Sequence, residues 1–172
     1  MAKSLGALTK AVCLMAIVLQ PLKAFPQTPS KSAKEQSDFG SDSDHDRPVP
    51  TPKAVVDIIR KGLDRSSDEL PDRFFEASEI HLGGPDEVDL VILIPAGSHA
   101  AHFYMLRPTS DGYKIILDSG GDSLRVLKTR SSGYRNIAVE SITQAGRFTT
   151  TVSYKFNGRK YIRVSEKTTH PN

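Results

Sequence analysis

The spacing of hydrophobic positions changes once along this chain. Val55, Ile58, Ile59 and Leu63 recur at helical spacing, with Thr51 placed to cap the segment and Pro52 suited to its first turn. Gly62 and the polar run after it end the helix. From residue 73 onward the pattern becomes short runs rich in β-branched and aromatic residues, at 73–82, 89–94, 101–107, 113–118, 123–128, 136–143, 147–156 and 160–164. Between them lie LGGPDE, PAGS, TSDG, SGGD, SSG, QAG and NG, all turn chemistry. The pattern predicts a mainly β, α+β domain: an antiparallel meander of about six to eight short strands led by one amphipathic N-terminal helix. Phe148, Thr150, Val152, Tyr154 and Phe156 alternate with more polar neighbours, as on a strand with one buried face. Asn157-Gly158 is the preferred pair for a two-residue hairpin turn, which would set Phe156 opposite Arg159, Lys155 opposite Lys160 and Tyr154 opposite Tyr161.

The chain ahead of the helix reads differently. Residues 1–24 have the build of an export signal: Lys3 and Lys10, an apolar core at 11–19, Pro21, and a cleavage motif ending at Ala24. That core is too short for a bilayer span, which needs about 20 residues. Residues 25–52 are Ser-, Pro- and Asp-rich and read as a disordered linker, because so few apolar side chains cannot offset the ordering entropy. This leaves 53–166 as the globular domain and 167–172 as a flexible tail.

Charge narrows the function classes. The whole chain has 23 basic and 20 acidic residues, but Lys3, Lys10 and Lys23 lie in the signal, so 20 of each remain after it. Nucleic-acid binding loses the basic footprint it needs. Cys13 also lies in the signal, so the exported part has no cysteine and depends on its hydrophobic core rather than on disulfides.

The candidate chemistry is concentrated in HLGGPDEVDLVILIPAGSHAAHFYMLRP, residues 81–108. His99 and His102 are three apart, whereas a helical zinc pair is four apart with an adjacent Glu. On a strand, residues three apart point to opposite faces. The segment reads instead as a turn at PAGS and then a strand with His102, Tyr104 and Leu106 on one face. PAGSH lacks the second glycine of a nucleophile elbow, and SGGDS precedes no helix that could help cradle a phosphate. No catalytic, cofactor-binding or metal residues are assigned.

HLGGPDEVDLVIL resembles the calcium loop of FG-GAP or VCBS-type β units, roughly D-L-N-G-D-G-K-P-D-L-V-V. In that alignment His81, Gly83 and Pro85 replace ligands, and Asp89 alone is kept. GYKIILDSGG and SSGYRNIAVES are similar to pieces of exported bacterial domains of this kind, with Asn136 at a position that often carries Asp. The resemblance covers about residues 75–162. It implies a small exported β unit with a binding or structural role and, with the carboxylates gone, no calcium.

The expected function is therefore an exported, non-enzymatic module binding an envelope protein or glycan, with no nucleic-acid partner, no transmembrane span after signal cleavage and no assigned oligomeric state. The expected contact residues are Tyr134, Arg135 and Asn136, presented after the SSG turn, with Lys155, Arg159 and Lys160. The competing reading is a small cell-wall hydrolase, or an inhibitor of a cell-wall enzyme, in which His99, His102 and Asp89 meet in a cleft.

Overall fold

The structure is a computed structural model that describes residues 38–40, 48–97, 100–143 and 148–170. The expected export signal, most of the expected linker and His99 lie outside the described residues. The strands are β1 (Asp38–Gly40), β2 (Pro48–Val49), β3 (Glu76–Ile80), β4 (Asp89–Pro95), β5 (Ala101–Thr109), β6 (Gly112–Gly121), β7 (Ser123–Ser131), β8 (Tyr134–Thr143), β9 (Phe148–Phe156) and β10 (Tyr161–Thr169). They form two antiparallel sheets, β2-β3-β4-β5-β6 and β1-β7-β8-β9-β10, and α1 (Lys53–Leu63) lies between β2 and β3 in sequence. The mainly β, antiparallel fold with a single helix is the one the pattern predicts, although two short strands precede the helix. Among the described residues, no helix is long and apolar enough to cross a membrane.

Two cores hold the layers together. One is shared by both sheets and contains Val91, Leu93, Phe103, Met105, Leu124, Ile137 and Val139. The other lies on the opposite side of the β2–β6 sheet, where Val55, Val56 and Ile59 of α1 meet Leu90, Ile92, Tyr104 and Leu106. Alternate residues of β4 therefore enter different cores, which is why its sequence is an unbroken apolar run. Each fully buried aliphatic side chain contributes about 1.5–3 kcal/mol. A bulge at Ile116 sends both Ile116 and Leu117 into the inter-sheet core.

Four local expectations are corrected. β1 and β2 fall inside the stretch assigned to the linker: Phe39 stands opposite Leu124 with 1% exposure, and Val49 pairs with Ala77. Two- and three-residue strands need only one or two apolar anchors, so bulk composition hides them. Residues 167–169 of the expected tail belong to β10 and pair with Thr149–Thr151. Thr51 does not cap α1; its hydroxyl donates to the Phe75 carbonyl at 2.7 Å, tying the start of the helix to the chain entering β3.

The fourth concerns the β9–β10 hairpin. Tyr161, not Arg159, stands opposite Phe156, and Lys155 faces Ile162 rather than Lys160. The Asn157 side-chain carbonyl accepts the backbone N–H groups of Arg159 and Lys160, both at 3.0 Å, and closes a four-residue loop. A shift of two residues keeps each side chain on its expected face. It also brings the Phe156 and Tyr161 rings edge to face at 5.4 Å. The alternation expected along β9 is weak: Phe156 is buried, while its other residues are half-buried or, at Lys155, exposed.

Candidate functional site

The loop at 81–88, between β3 and β4, is fastened to the other sheet. The Ser132-Gly133 turn takes positive φ at both residues, 49° and 83°, the backbone a two-residue hairpin loop requires. It brings Arg130 and Tyr134 under the loop. Arg130 Nη1 donates to Leu82 O at 3.1 Å, Gly83 O at 2.8 Å and Gly133 O at 2.7 Å. The Arg135 amide also donates to Leu82 O, at 3.0 Å. One guanidinium nitrogen thus gathers three carbonyls from two elements.

Tyr134 completes the fastening. Its hydroxyl donates to Glu87 Oε2 at 2.5 Å, and its ring stacks on Phe156 with centroids 4.3 Å apart. Arg107 of β5 sets its guanidinium 4.2 Å from the centre of the Tyr134 ring and 4.8 Å from that of Phe156. Burial pushes the Tyr134 hydroxyl well above its ordinary range, and the hydrogen bond to Glu87 adds to this.

Asp89, at the start of β4, lies beside this stack. It is 1% exposed, its Oδ1 is 3.8 Å from Arg107 Nε, and neither oxygen has a well-formed hydrogen bond, although the Leu82 backbone amide lies close enough to favour its charged form. Arg107 Nε and Nη2 are likewise buried without an acceptor. Burial raises the Asp89 pKa to about 6; Arg107 opposes the rise and Glu87 adds to it. Above the two residues opens a pocket of about 320 Å³ that Asp86, Glu87 and Val88 also line. Asp86 and Asp89 line the same cleft.

The six expected contact residues do not form one surface. Tyr134 and Asn136 are buried, so the expectation that SGYRN presents its side chains to solvent is corrected. Beside them β7 carries a bulge, where the register moves from Val126 opposite Ile137 to Arg130 opposite Arg135. The Arg135 guanidinium donates to the bulged carbonyls of Val126 and Leu127, and Asn136 Nδ2 donates to Thr129 Oγ1 at 2.9 Å. Asn136 Oδ1 is buried without a donor and, with Lys155, lines a depression of about 350 Å³. Arg159 and Lys160 are exposed and line a separate one of about 280 Å³ with Lys114.

The hydrolase reading needed His102 and Asp89 together, and the structure separates them. His102 stands opposite Ile94, five positions along β4 from Asp89, which is about 16 Å of strand. Alternation places Asp89 on the side of Val91 and Leu93, whereas His102 stacks on Tyr104, a residue of the helix-side core. The expected face with His102, Tyr104 and Leu106 is thus present. His102 Nε2 lies 2.5 Å from Asp118 Oδ1, with both side chains partly exposed. Burial, with Asp118 adding, raises the Tyr104 hydroxyl to about 12.

Sequence reasoning assigned no role to Arg107 or Arg130. Pairing arithmetic contained the first: Leu90 stands opposite Leu106, and one further step sets Asp89 opposite Arg107. No spacing marks Arg130, whose partners in the 81–88 loop lie 47 and 48 residues away. The chain matches no family model, no curated protein and no solved structure.

Proposed function

We propose that the chain is an exported, non-enzymatic β-rich module that binds a protein or glycan partner in the cell envelope. The observation that carries this reading is the separation of His102 from Asp89 on opposite faces of one sheet, since the hydrolase alternative required their convergence. Export is supported by Lys3, Lys10 and the apolar run at 11–19. Contact is assigned to the β9–β10 hairpin. Lys155, Arg159 and Lys160 are exposed there, and β10 is the outer strand of its sheet with Ile162 41% and Val164 45% exposed. An outer strand offers backbone hydrogen bonds, and the three cations favour an anionic partner surface.

The test is affinity capture from envelope extract, with the unaltered chain compared with a variant carrying Lys155→Glu, Arg159→Glu and Lys160→Glu. These exposed positions tolerate substitution, so the variant folds and loses the captured species. Equal recovery of the same species by both proteins would remove the hairpin from the contact. Turnover of cell-wall glycan by the purified chain would overturn the non-enzymatic reading.

A further inference from the structure

We propose that the pocket beside the 81–88 loop receives a cationic side chain, a lysine or arginine of a partner protein. The inference rests on the reading of the domain as a binding module and adds the chemistry of one contact. Three features carry it.

The first is charge. Asp86, Glu87 and Asp89 line the pocket against the single guanidinium of Arg107. That guanidinium is already engaged by the Tyr134 and Phe156 rings and by Asp89. The walls therefore keep an acidic excess that favours a cation.

The second is Asp89 itself. A carboxylate with 1% exposure and no well-formed hydrogen bond to either oxygen, with the Leu82 amide and Arg107 as its neighbours, is held at a cost in free energy. An ammonium or guanidinium group brings further N–H donors, in charge-assisted form. A bare divalent cation does not suit the site. Among the described residues, no three His, Cys, Asp or Glu side chains are placed to hold a metal ion, and a hard cation needs several such oxygens.

The third is the rim. Val88 is 38% exposed and Pro108 is exposed, so apolar surface lies beside the acidic groups. A lysine or arginine stem covers such surface while its charged end reaches inward. A volume of about 320 Å³ accommodates one side chain rather than an extended chain.

Binding should depend on pH. The charged and titratable groups around Asp89 are Arg107 from β5, His81 and Glu87 from the loop, Tyr134 from β8 and Tyr161 from β10. With Asp89 titrating near pH 6, the cation loses its counter-charge as pH falls through that value.

The test is a ¹H–¹⁵N NMR titration of the full chain with N-acetyl-arginine amide and N-acetyl-lysine amide. The neutral isostere N-acetyl-citrulline amide, a neutral N-acetylglucosamine trisaccharide and calcium chloride serve as comparison probes. Saturable shifts are expected at the amides of Glu87, Asp89, Arg107 and Tyr134 with the two cations. Citrulline should bind about tenfold more weakly, and the cation affinity should fall several-fold between about pH 7.5 and about pH 5. Asp89→Asn should remove the response. Glu87→Gln, at an exposed position, should weaken it in a chain that keeps its fold. Equal shifts with citrulline or the trisaccharide, calcium shifts at these amides, or no shift with either cation would each overturn the proposal. Capture through the β9–β10 hairpin reads a different surface, so failure in one experiment is distinguishable from failure in the other.

Discussion

Arg130 and Leu82 are 48 residues apart, and a hydrogen bond of 3.1 Å from Arg130 Nη1 to the Leu82 carbonyl joins the β7–β8 turn to the loop after β3. The same nitrogen also takes Gly83 O and Gly133 O. A calcium loop draws backbone and carboxylate oxygens onto an ion; here the carbonyls are drawn onto a side chain of the same chain. The Arg130 guanidinium therefore supplies fixed positive charge to the 81–88 path.

Arg130→Ala should destabilise the domain by about 2 kcal/mol, the scale of hydrogen bonds from a charged donor. Arg130→Lys should recover only part of this, because an ammonium lacks the planar fork. Urea unfolding checks the loss, and hydrogen exchange at the Arg135 amide, which donates to Leu82 O, should report the loosened loop. An unchanged unfolding midpoint with unchanged exchange would show that the loop holds without the guanidinium.

Phe39 gives a second test, at the place where composition and structure disagree. The side chain is 1% exposed in the inter-sheet core, within a stretch whose bulk composition reads as linker. Phe39→Ala should cost about 3–5 kcal/mol, as truncation of a buried aromatic does. A loss below about 0.5 kcal/mol, the range for surface substitutions, would return this residue to the linker.

What was legible in the sequence follows from range. β3 to β9 each overlap an apolar or alternating run bounded by turn residues, because period and turn chemistry act within a few positions, while β10 continues past its run. β1 and β2 depend on pairing with Arg125 and Ser78, far along the chain, and are too short to carry a period. The hairpin faces were right while the register was off by two, because Asn157 closes the loop through its side chain and a bare Asn-Gly pair does not reveal that. Tyr134 and Asn136 read as exposed because they follow a glycine turn, but Tyr134 packs against Phe156, Arg107 and the 81–88 loop, and Asn136 against Thr129, contacts that no local pattern reveals. Asp89 was marked by its type, but its Arg107 partner required the β4–β5 register.

Gly83 tests how closely the loop packs. A Cβ there would overlap the Glu87 carboxylate and come within 2.9 Å of Tyr134 Cζ. The carboxylate can swing away, but only by giving up the Tyr134 hydroxyl, while the ring is held by Phe156. Gly83→Ala should therefore cost about 1–3 kcal/mol, the range for overpacking. Loss of the Tyr134–Glu87 contact should accompany it, read from the Tyr134 ring resonances. An alanine variant as stable as the parent, with those resonances unmoved, would mean that the loop has room to spare.

Asp89 makes stability depend on pH in a direction opposite to that of a salt-bridged carboxylate. Burial raises its pKa from 3.8 to about 6 in the folded chain, so between these values the folded state binds more protons than the unfolded state. Folding is then favoured as pH falls through that window. The cost of a buried charge is present in full above about pH 6 and gone below about pH 4. A shift of this size corresponds to roughly 3 kcal/mol. Arg107 sits over Tyr134 and Phe156, and Asp89→Asn removes the titrating carboxylate at nearly constant shape. The stability of the unaltered chain relative to the variant should rise by up to about 3 kcal/mol from pH 8 to pH 4. Urea unfolding of both proteins at matched pH values measures this difference. If the relative stability stayed flat, or fell toward acid, Asp89 would be an ordinary ionised carboxylate and its burial would carry no electrostatic cost.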